Sequence, residues 1–517
     1  MKTDAATDPI RIEPFDEWNE RLVENVHPSS WQNPTPEGRY NLVIVGAGTG
    51  GLITALIASS LGARVALVER HLMGGDCLNV GCVPSKAVIR GAQRIHEARE
   101  AAGLGMPATD ADLGDFGEVM RRMREIRARI SEEDSAERYS EEFGIDVFLG
   151  DARFVAEGRV EVAGQTLEFS KAVIATGARA IAPPVPGLEE AGYLDNETVF
   201  GLTERPRRLA VIGAGPIGCE LAQAFARLGS RVSILERMDQ ILTREDPDAA
   251  KIVQDAMIRE GVDMVFGCKI ERVERRGDER VLHLAGADGT LRELVVDEIL
   301  VGAGRAPNVE DLGLETVGVD FDPRDGVAVD DTLRTTNARI WAVGDVCMKW
   351  KFTHAADAAA KIVVQNALFA VGPFGRKKLS DLKMPWCTYT EPEIAHVGHY
   401  ERDASAAGIE IDTYRVSIAE ANRAVTDGQE EGLVKVHVKR GTDEIVGATI
   451  VAAHAGDLIT QFTMAIQHGI GLGAFTNVIY PYPTQGEAIK RAAGAYTRTR
   501  LTPTVKRLFE RWLGWQR

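Results

Sequence analysis

No stretch of about 18 consecutive apolar residues occurs anywhere in the 517-residue chain, so nothing in it reads as a membrane-spanning helix. The opening residues, Met1-Lys2-Thr3-Asp4, lack the apolar core of a secretory leader, and the expected location is the cytoplasm. Basic residues are in deficit: 60 Lys and Arg stand against 76 Asp and Glu, a formal charge of −16, which repels phosphate backbones and argues against a nucleic-acid partner. Cysteine is scarce as well. Six thiols (Cys77, Cys82, Cys219, Cys268, Cys347 and Cys387) are too few for a disulfide scaffold at this length. No second Cys or His pair with finger spacing accompanies the closest two, so no metal site is expected. Four of the six read as small buried hydrophobes.

Glycine, by contrast, is abundant at 52 residues, more than turns alone need, which fits an α/β protein whose backbone approaches ligands closely. The abundance is organised. The apolar run 41–45 leads into Gly46-Ala47-Gly48-Thr49-Gly50-Gly51, and the run 209–212 leads into Gly213-Ala214-Gly215-Pro216-Ile217-Gly218. Each G-x-G-x-x-G opens an alanine- and leucine-rich helical stretch. Each helix runs on to a second strand, 65–68 or 232–235, that ends in an acid, Glu69 or Glu236. The first glycine permits the tight turn, the second lets the backbone approach a pyrophosphate, and the third lets helix and strand pack closely. The terminal carboxylate is placed to accept from ribose hydroxyls. Two such units with matching strand, helix and acid predict two dinucleotide-binding βαβ folds.

Between them lies the chemistry. Cys77 and Cys82 sit in Gly74-Gly75-Asp76-Cys77-Leu78-Asn79-Val80-Gly81-Cys82-Val83-Pro84-Ser85-Lys86. Pro84 suits the first position of a helix, which puts Cys82 at a helix N-terminus, where the dipole favours thiolate. A half zinc site and two inert thiols compete with a redox couple, and the lack of further ligands favours the couple. Lys86, a cation in a first helical turn, opposes the dipole and calls for a carboxylate, for which Glu220 beyond the second glycine turn is a candidate.

Elsewhere, residues 1–40 form a polar extension with Trp18, Trp31, Pro34 and Pro36 and no clear period, expected to lie over the surface as an arm. Residues 84–145 read as two helices, the second being the charged stretch 121–142. Residues 340–343 and the alanine-rich 355–371 return to strand then helix, and from residue 385 alternating strands such as 433–438 and 445–451 mix with helices. The last residues, 501–517, are amphipathic, with apolar positions 505, 508, 509, 512 and 513 and the cations Lys506, Arg507 and Arg511 on other faces. Such a tail can cover a groove on its own dimer, the favoured reading, or make peripheral contact with an anionic membrane.

Residues 74–86 resemble the redox motif of the group I pyridine nucleotide-disulfide oxidoreductases, which include lipoamide dehydrogenase, glutathione reductase and mercuric reductase. Supporting motifs follow in family order: Ala175-Thr176-Gly177, Gly302-Ala303-Gly304-Arg305-Ala306-Pro307-Asn308, Thr335-Thr336-Asn337 through Gly344-Asp345, Tyr389-Thr390 through Val397-Gly398, and Pro483-Thr484 before Glu487. The resemblance implies an α/β fold: two Rossmann-like dinucleotide-binding domains plus a C-terminal α+β dimerisation domain. Its divisions would be an extension 1–40, an FAD-binding domain 41–200 and 326–380, an NAD(P)-binding domain 201–325, a dimerisation domain 381–500 and a tail 501–517.

It implies that FAD is held through Gly46, Gly48, Gly51, Glu69, Arg70, Gly75, Asp76, Thr176 and Gly177, with Gly304, Arg305, Gly344, Asp345 and His354. NADH or NADPH would be held through Gly213, Gly215, Ile217, Gly218, Glu236 and Arg237. Cys82 would be the thiolate facing the flavin, Cys77 the thiol that attacks substrate, and Lys86–Glu220 a pair beside the flavin. The enzyme would be a homodimer whose third domain completes the partner's site.

Departures from the family pattern bear on the acceptor. Where disulfide-reducing members carry a histidine before Pro-Thr, this chain has Tyr482, a poor base at neutral pH. Mercuric reductases carry tyrosine there and a second tyrosine that Tyr193 resembles. They also carry a C-terminal vicinal cysteine pair and an N-terminal metal-binding domain, neither of which appears here, so mercury would have to be delivered directly. A small-molecule disulfide is the alternative acceptor. Glu236 favours NADH, because a carboxylate repels a 2′-phosphate.

Overall fold

A computed structural model describes residues 10–105, 114–286, 289–372 and 374–517. The chain divides into two compact units: 1–213, 224–232 and 269–382 form one, and 214–223, 233–268 and 383–517 the other.

In the first unit Arg39–Val45, which ends in the β-branched Val43, Ile44 and Val45, becomes a central strand, buried at every position after residue 41. It pairs in parallel with Val65–Glu69 on one side and Gln165–Ile174 on the other. Asp146–Leu149 extends the sheet beyond Val65–Glu69, and Ile340–Ala342 also pairs in parallel with Gln165–Ile174. An antiparallel pair, Ala152–Ala156 and Arg159–Val162, completes the seven strands. Parallel strands carry helices on their faces and so read as continuous apolar runs. Here the helices Thr49–Ser60 and Thr353–Val364 pack together. The core of this layer includes Tyr40, Phe148, Phe154 and Phe169, all essentially inaccessible. Arg208–Ile212, the strand feeding the second glycine turn, pairs in parallel with Glu298–Val301. The strands Lys269–Arg276, Glu279–Ala285 and Leu291–Val296 form an antiparallel meander that no sequence feature had suggested.

In the second unit, residues 233–235 pair in parallel with 263–265. Five antiparallel strands then run in the order Pro385–Thr388, Glu393–Gly398, Ile445–Ala452, Leu433–Lys439, Ile411–Ser417. Helices Ala455–His468 and Glu487–Thr499 share its apolar core around Phe462, Phe475 and Tyr496. The architecture is therefore α/β with two dinucleotide-type turns and a C-terminal α+β portion.

Three sequence expectations need correction. The helix after the thiols starts at Cys82, not Pro84, so Pro84 is its third residue and Lys86 lies in its second turn. Proline is tolerated there because the first four helical N–H groups have no intrahelical partner. The charged stretch 121–142 is no single helix: Phe116–Ile130 ends at Ser131, and Ala136–Glu141 follows a 3₁₀ turn.

The extension is no loose arm, although its first nine residues lie outside the described part. Asp16 caps the helix Glu17–Val26, which buries Asn19, Leu22 and Val26. Asp16 pairs with Arg124 at 2.6 Å, and Trp31 and Asn33 hydrogen-bond the strand Asp146–Leu149. The tail is helical over Pro503–Trp515 and buries none of its residues against its own chain. No helix among the described residues is long and apolar enough to cross a membrane.

Candidate redox site and dinucleotide-binding turns

The redox segment is built against the first glycine turn. Gly74 sits at φ +89°, donates its N–H to Ala47 O at 2.8 Å and bridges to Gly48. A Cβ on Gly75 would lie 2.6 Å from Gly48 Cα, so only glycine lets the two loops meet. One short helical turn, Gly75–Asn79, carries Cys77, and Gly81 leads into the helix Cys82–Glu100. Asn79 ties the turn down by donating to Met73 O at 3.0 Å and Gly75 O at 2.9 Å.

Both cysteines are free thiols, with Cys82 exposed and Cys77 half-buried. The Cys77 thiol is pushed well above its ordinary pKa, first by its hydrogen bond with Cys82 and then by burial. Cys77 thus keeps its proton while Cys82, at the helix N-terminus, is the sulfur favoured for charge. Thr353 Oγ1 lies 3.2 Å from Cys82 Sγ. Asp134, whose carboxyl burial pushes up to about 6, adds a negative field that raises Cys77 further. Neither Thr353 nor Asp134 was anticipated. Thr353 is adjacent to His354, itself stacked on Phe352, whereas Asp134 lies in an unremarkable acidic run.

Around the thiols three separated motifs converge. Arg305 pairs with Asp76, and its Nε lies 3.5 Å from Asp345, whose carboxyl burial pushes upward. Thr176 Oγ1 donates to Asn308 O at 2.7 Å, Asn308 Nδ2 returns to Thr176 O at 2.9 Å, and Asn308 N donates to Gly177 O.

The two glycine turns repeat at the level of single hydrogen bonds. Glu69 accepts from Ala47 N at 2.7 Å and from His71 N at 2.8 Å. Glu236 accepts from Ala214 N at 2.9 Å and from Met238 N at 3.0 Å. Each carboxylate therefore clamps its own turn, a task the ribose reading had not included. About half of its acceptor positions remain for another donor. Burial pushes the Glu69 carboxyl upward. A buried carboxylate with spare lone pairs suits hydroxyl donors, and a Cβ on Gly51 would sit 1.8 Å from Gly46 O. The helix Thr49–Ser60 also starts with no side-chain cap at Gly48, leaving amides for a phosphate. These features fit FAD at the first turn. At the second, Gly213 at φ +100° is close to Gly302 O, a Cβ on Gly215 would meet open space, and Ile217 and Arg237 are exposed.

The remaining candidates are less gathered. Tyr193 OH donates to Glu189 at 3.2 Å, and burial with that carboxylate raises its pKa. Asn196 nearby donates to Val80 O in the redox segment. In the second unit buried Glu220 accepts from Tyr389 N at 2.9 Å. Tyr482 is 73% exposed and accepts from Asn422 Nδ2 at 3.0 Å. Glu487 opens its helix and pairs with Arg491 at 2.7 Å.

Fold and site together define an enzyme of the flavin- and nicotinamide-linked oxidoreductases. The chain belongs to the pyridine nucleotide-disulphide oxidoreductase family, matched over residues 40–360, with that family's dimerisation domain matched over 384–493. Members depend on FAD and NAD(P)H. The chain is 35% identical over 467 residues to a mercuric reductase of Streptomyces lividans, spanning 89% of this chain and 96% of that protein. It is 34% identical over 469 residues to a dihydrolipoyl dehydrogenase of Thermus scotoductus, spanning 88% and 97%. Among solved structures, the Cu(II) complex of the HOCl-induced flavoprotein disulfide reductase RclA from Escherichia coli superposes with a TM-score of 0.79 at 28% identity, covering 89% and 100%.

Proposed function

We propose that the protein uses NAD(P)H to reduce a thiophilic acceptor, Hg(II) or another soft metal ion, through Cys77 and Cys82. The observation that carries this is the asymmetric thiol pair, with Cys77 holding the proton and Cys82 exposed at a helix start. Bound FAD supplies the two-electron relay between nicotinamide and thiols. It would be held by the first glycine turn (Gly46, Gly48, Gly51) and Glu69, and by the cluster Asp76, Arg305 and Asp345. The nicotinamide cofactor would use Gly213, Gly215, Gly218 and Glu236, the carboxylate favouring NADH. Cys82 acts as the flavin-side thiolate, Cys77 as the thiol that meets the acceptor, and Lys86 with Glu220 as an ion pair beside the flavin.

The metal reading draws on Tyr482, which replaces the proton-shuttling base that disulfide reduction needs, and on relatives named for Hg(II) reduction and Cu(II) binding. A small disulfide is the second reading, supported by the dihydrolipoyl dehydrogenase likeness. The protein would work as a homodimer through residues 381–500. The tail helix, with Trp515 at 88% exposure on the single chain, suits a groove of that dimer, the reading favoured from the sequence, and peripheral binding to an anionic membrane is the alternative.

Cys82→Ser is expected to cut NADH-driven reduction of Hg(II)–thiol complexes at least about 10³-fold, as loss of a nucleophile does. Unchanged turnover in that variant would dispose of the dithiol mechanism.

A further inference from the structure

Cys82 is met by the starts of two helices. It is itself the first residue of Cys82–Glu100, whose N-cap, Gly81, makes no side-chain cap hydrogen bond. Thr353 opens Thr353–Val364, whose N-cap, Phe352, makes none either. The positive ends of two helix dipoles therefore lie beside one sulfur. Oγ1 of Thr353 completes the approach at 3.2 Å from Cys82 Sγ.

The position of Thr353 in its helix leaves that hydroxyl available. A threonine inside a helix can turn its hydroxyl back onto the carbonyl four residues earlier. Thr54 does so to Gly50 O at 2.6 Å, Thr463 to Ile459 O at 3.1 Å and Thr497 to Ala493 O at 3.0 Å. For Thr353 that carbonyl belongs to Lys349, which precedes the helix, and the hydroxyl meets a sulfur instead. Cys77 feels it too. Its thiol is raised by the hydrogen bond with Cys82, by burial and by the Cys82 charge, and Thr353 opposes these with a hydrogen bond of its own. One hydroxyl thus lies within reach of both sulfurs, yet it carries a single proton, and a thiolate is the stronger acceptor. Asp134 places negative charge on the Cys77 side, so the two side chains divide the pair.

We propose that Thr353 is a catalytic residue of the dithiol reaction: its hydroxyl donates to Cys82 Sγ and fixes the charge there each time the disulfide opens. The proposal rests on the dithiol reading above. The step balances without an outside proton, as NADH + Cys77–S–S–Cys82 → NAD⁺ + Cys77–SH + Cys82–S⁻. The S–S bond breaks, the two electrons of the hydride equivalent pass to the sulfurs, its one proton is accounted for on Cys77, and the charge rests on Cys82 under the Thr353 hydroxyl.

Thr353→Val removes the hydroxyl at nearly constant shape, Thr353→Ser keeps it, and Thr353→Ala stands in if valine is not accommodated at the helix start. Iodoacetamide alkylates thiolates, so its rate at Cys82 against pH gives the midpoint of that ionisation. The rate is read in the FAD-loaded enzyme after reduction with dithiothreitol, with fragmentation mass spectrometry separating Cys82 from Cys77. The valine and alanine variants should raise the midpoint by about one pH unit, the size of a hydrogen bond to a charged group at an exposed sulfur, while serine holds it near wild type. The acid limb of NADH-driven turnover should move by the same amount. The charged and titratable groups around the pair (Cys77, Asp134, Lys86, Arg90, Arg122 and His354) are the same in every variant, so the shift reports the hydroxyl. An unchanged midpoint in Thr353→Val, or a serine variant shifted as far as the valine one, would overturn the assignment. Either result leaves the dithiol mechanism standing as long as Cys82→Ser abolishes turnover, whereas turnover surviving in Cys82→Ser would strike at the mechanism itself.

Discussion

Replacing His396 with Gln should flatten the acid dependence of stability in the second unit. His396 lies in the strand Glu393–Gly398 and is inaccessible to solvent. Tyr400 stacks on it with ring centroids 3.6 Å apart, and Trp386 lies at 4.7 Å. Its Nε2 is 3.1 Å from Gly398 O, which can only accept, so Nε2 carries the proton. Nδ1 then accepts from the Thr449 hydroxyl at 2.8 Å. Both nitrogens are satisfied as neutral imidazole.

Burial pushes the pKa from 6.5 down to about 3, helped by His437, Arg402 and His399, while the Gly398 carbonyl partly opposes it. A depressed imidazole stays neutral in the fold but charges in the unfolded chain. Its contribution is therefore complete above the unfolded value and is lost as pH falls from 6.5 towards 3. At about pH 5 the unfolded imidazole is almost wholly charged, and the loss relative to about pH 8 is roughly 1.5 pH units at 1.36 kcal/mol each, or about 2 kcal/mol. That figure hardly changes if the folded value is a unit higher.

Urea unfolding of wild type and His396→Gln, followed by tryptophan fluorescence at both pH values, measures it. The variant loses stacking at every pH, so the readout is the difference between pH dependences. Glu245, a buried carboxyl held by Trp386 and Tyr400, titrates in both proteins and cancels to first order. Parallel losses in the two proteins would refute the argument.

Gly51→Ala should yield protein with no visible flavin absorbance even if it folds, because the new methyl falls 1.8 Å from Gly46 O and spreads the first glycine turn. Flavin content per chain after reconstitution reads this directly, and normal FAD loading would count against assigning that turn to the flavin. On the membrane alternative, truncation before Leu501 should abolish co-sedimentation with anionic vesicles while leaving NADH oxidation intact, and equal sedimentation of both forms would remove the membrane reading.

What the sequence disclosed was local. Two glycine turns and their acids lie within single βαβ units, so spacing alone carries them, down to the matched clamps of Glu69 and Glu236. The redox segment was legible because Cys77, Cys82 and their glycines are contiguous. Arg124 and Arg127 were not, because a charged helix ordinarily presents a solvated face. Here both are buried, answered by Asp16 and Asn19, which are 108 positions away in the chain. Thr353 escaped for the same reason, since its meeting with Cys82 depends on a contact across 271 positions.

Arg127 has a consequence for the thiols. One end of its guanidinium donates to Asn79 O, between the two cysteines, and the other to Asn19 Oδ1 in the N-terminal helix, both at 2.6 Å. Burial lowers its pKa to about 10, so losing either acceptor strands a desolvated cation. The docking of residues 17–26 and the ordering of the redox segment are thereby linked equilibria, and linkage is reciprocal. Whatever steadies the thiols shields the N-terminal helix from proteases, and a cut in that helix is felt at the thiols.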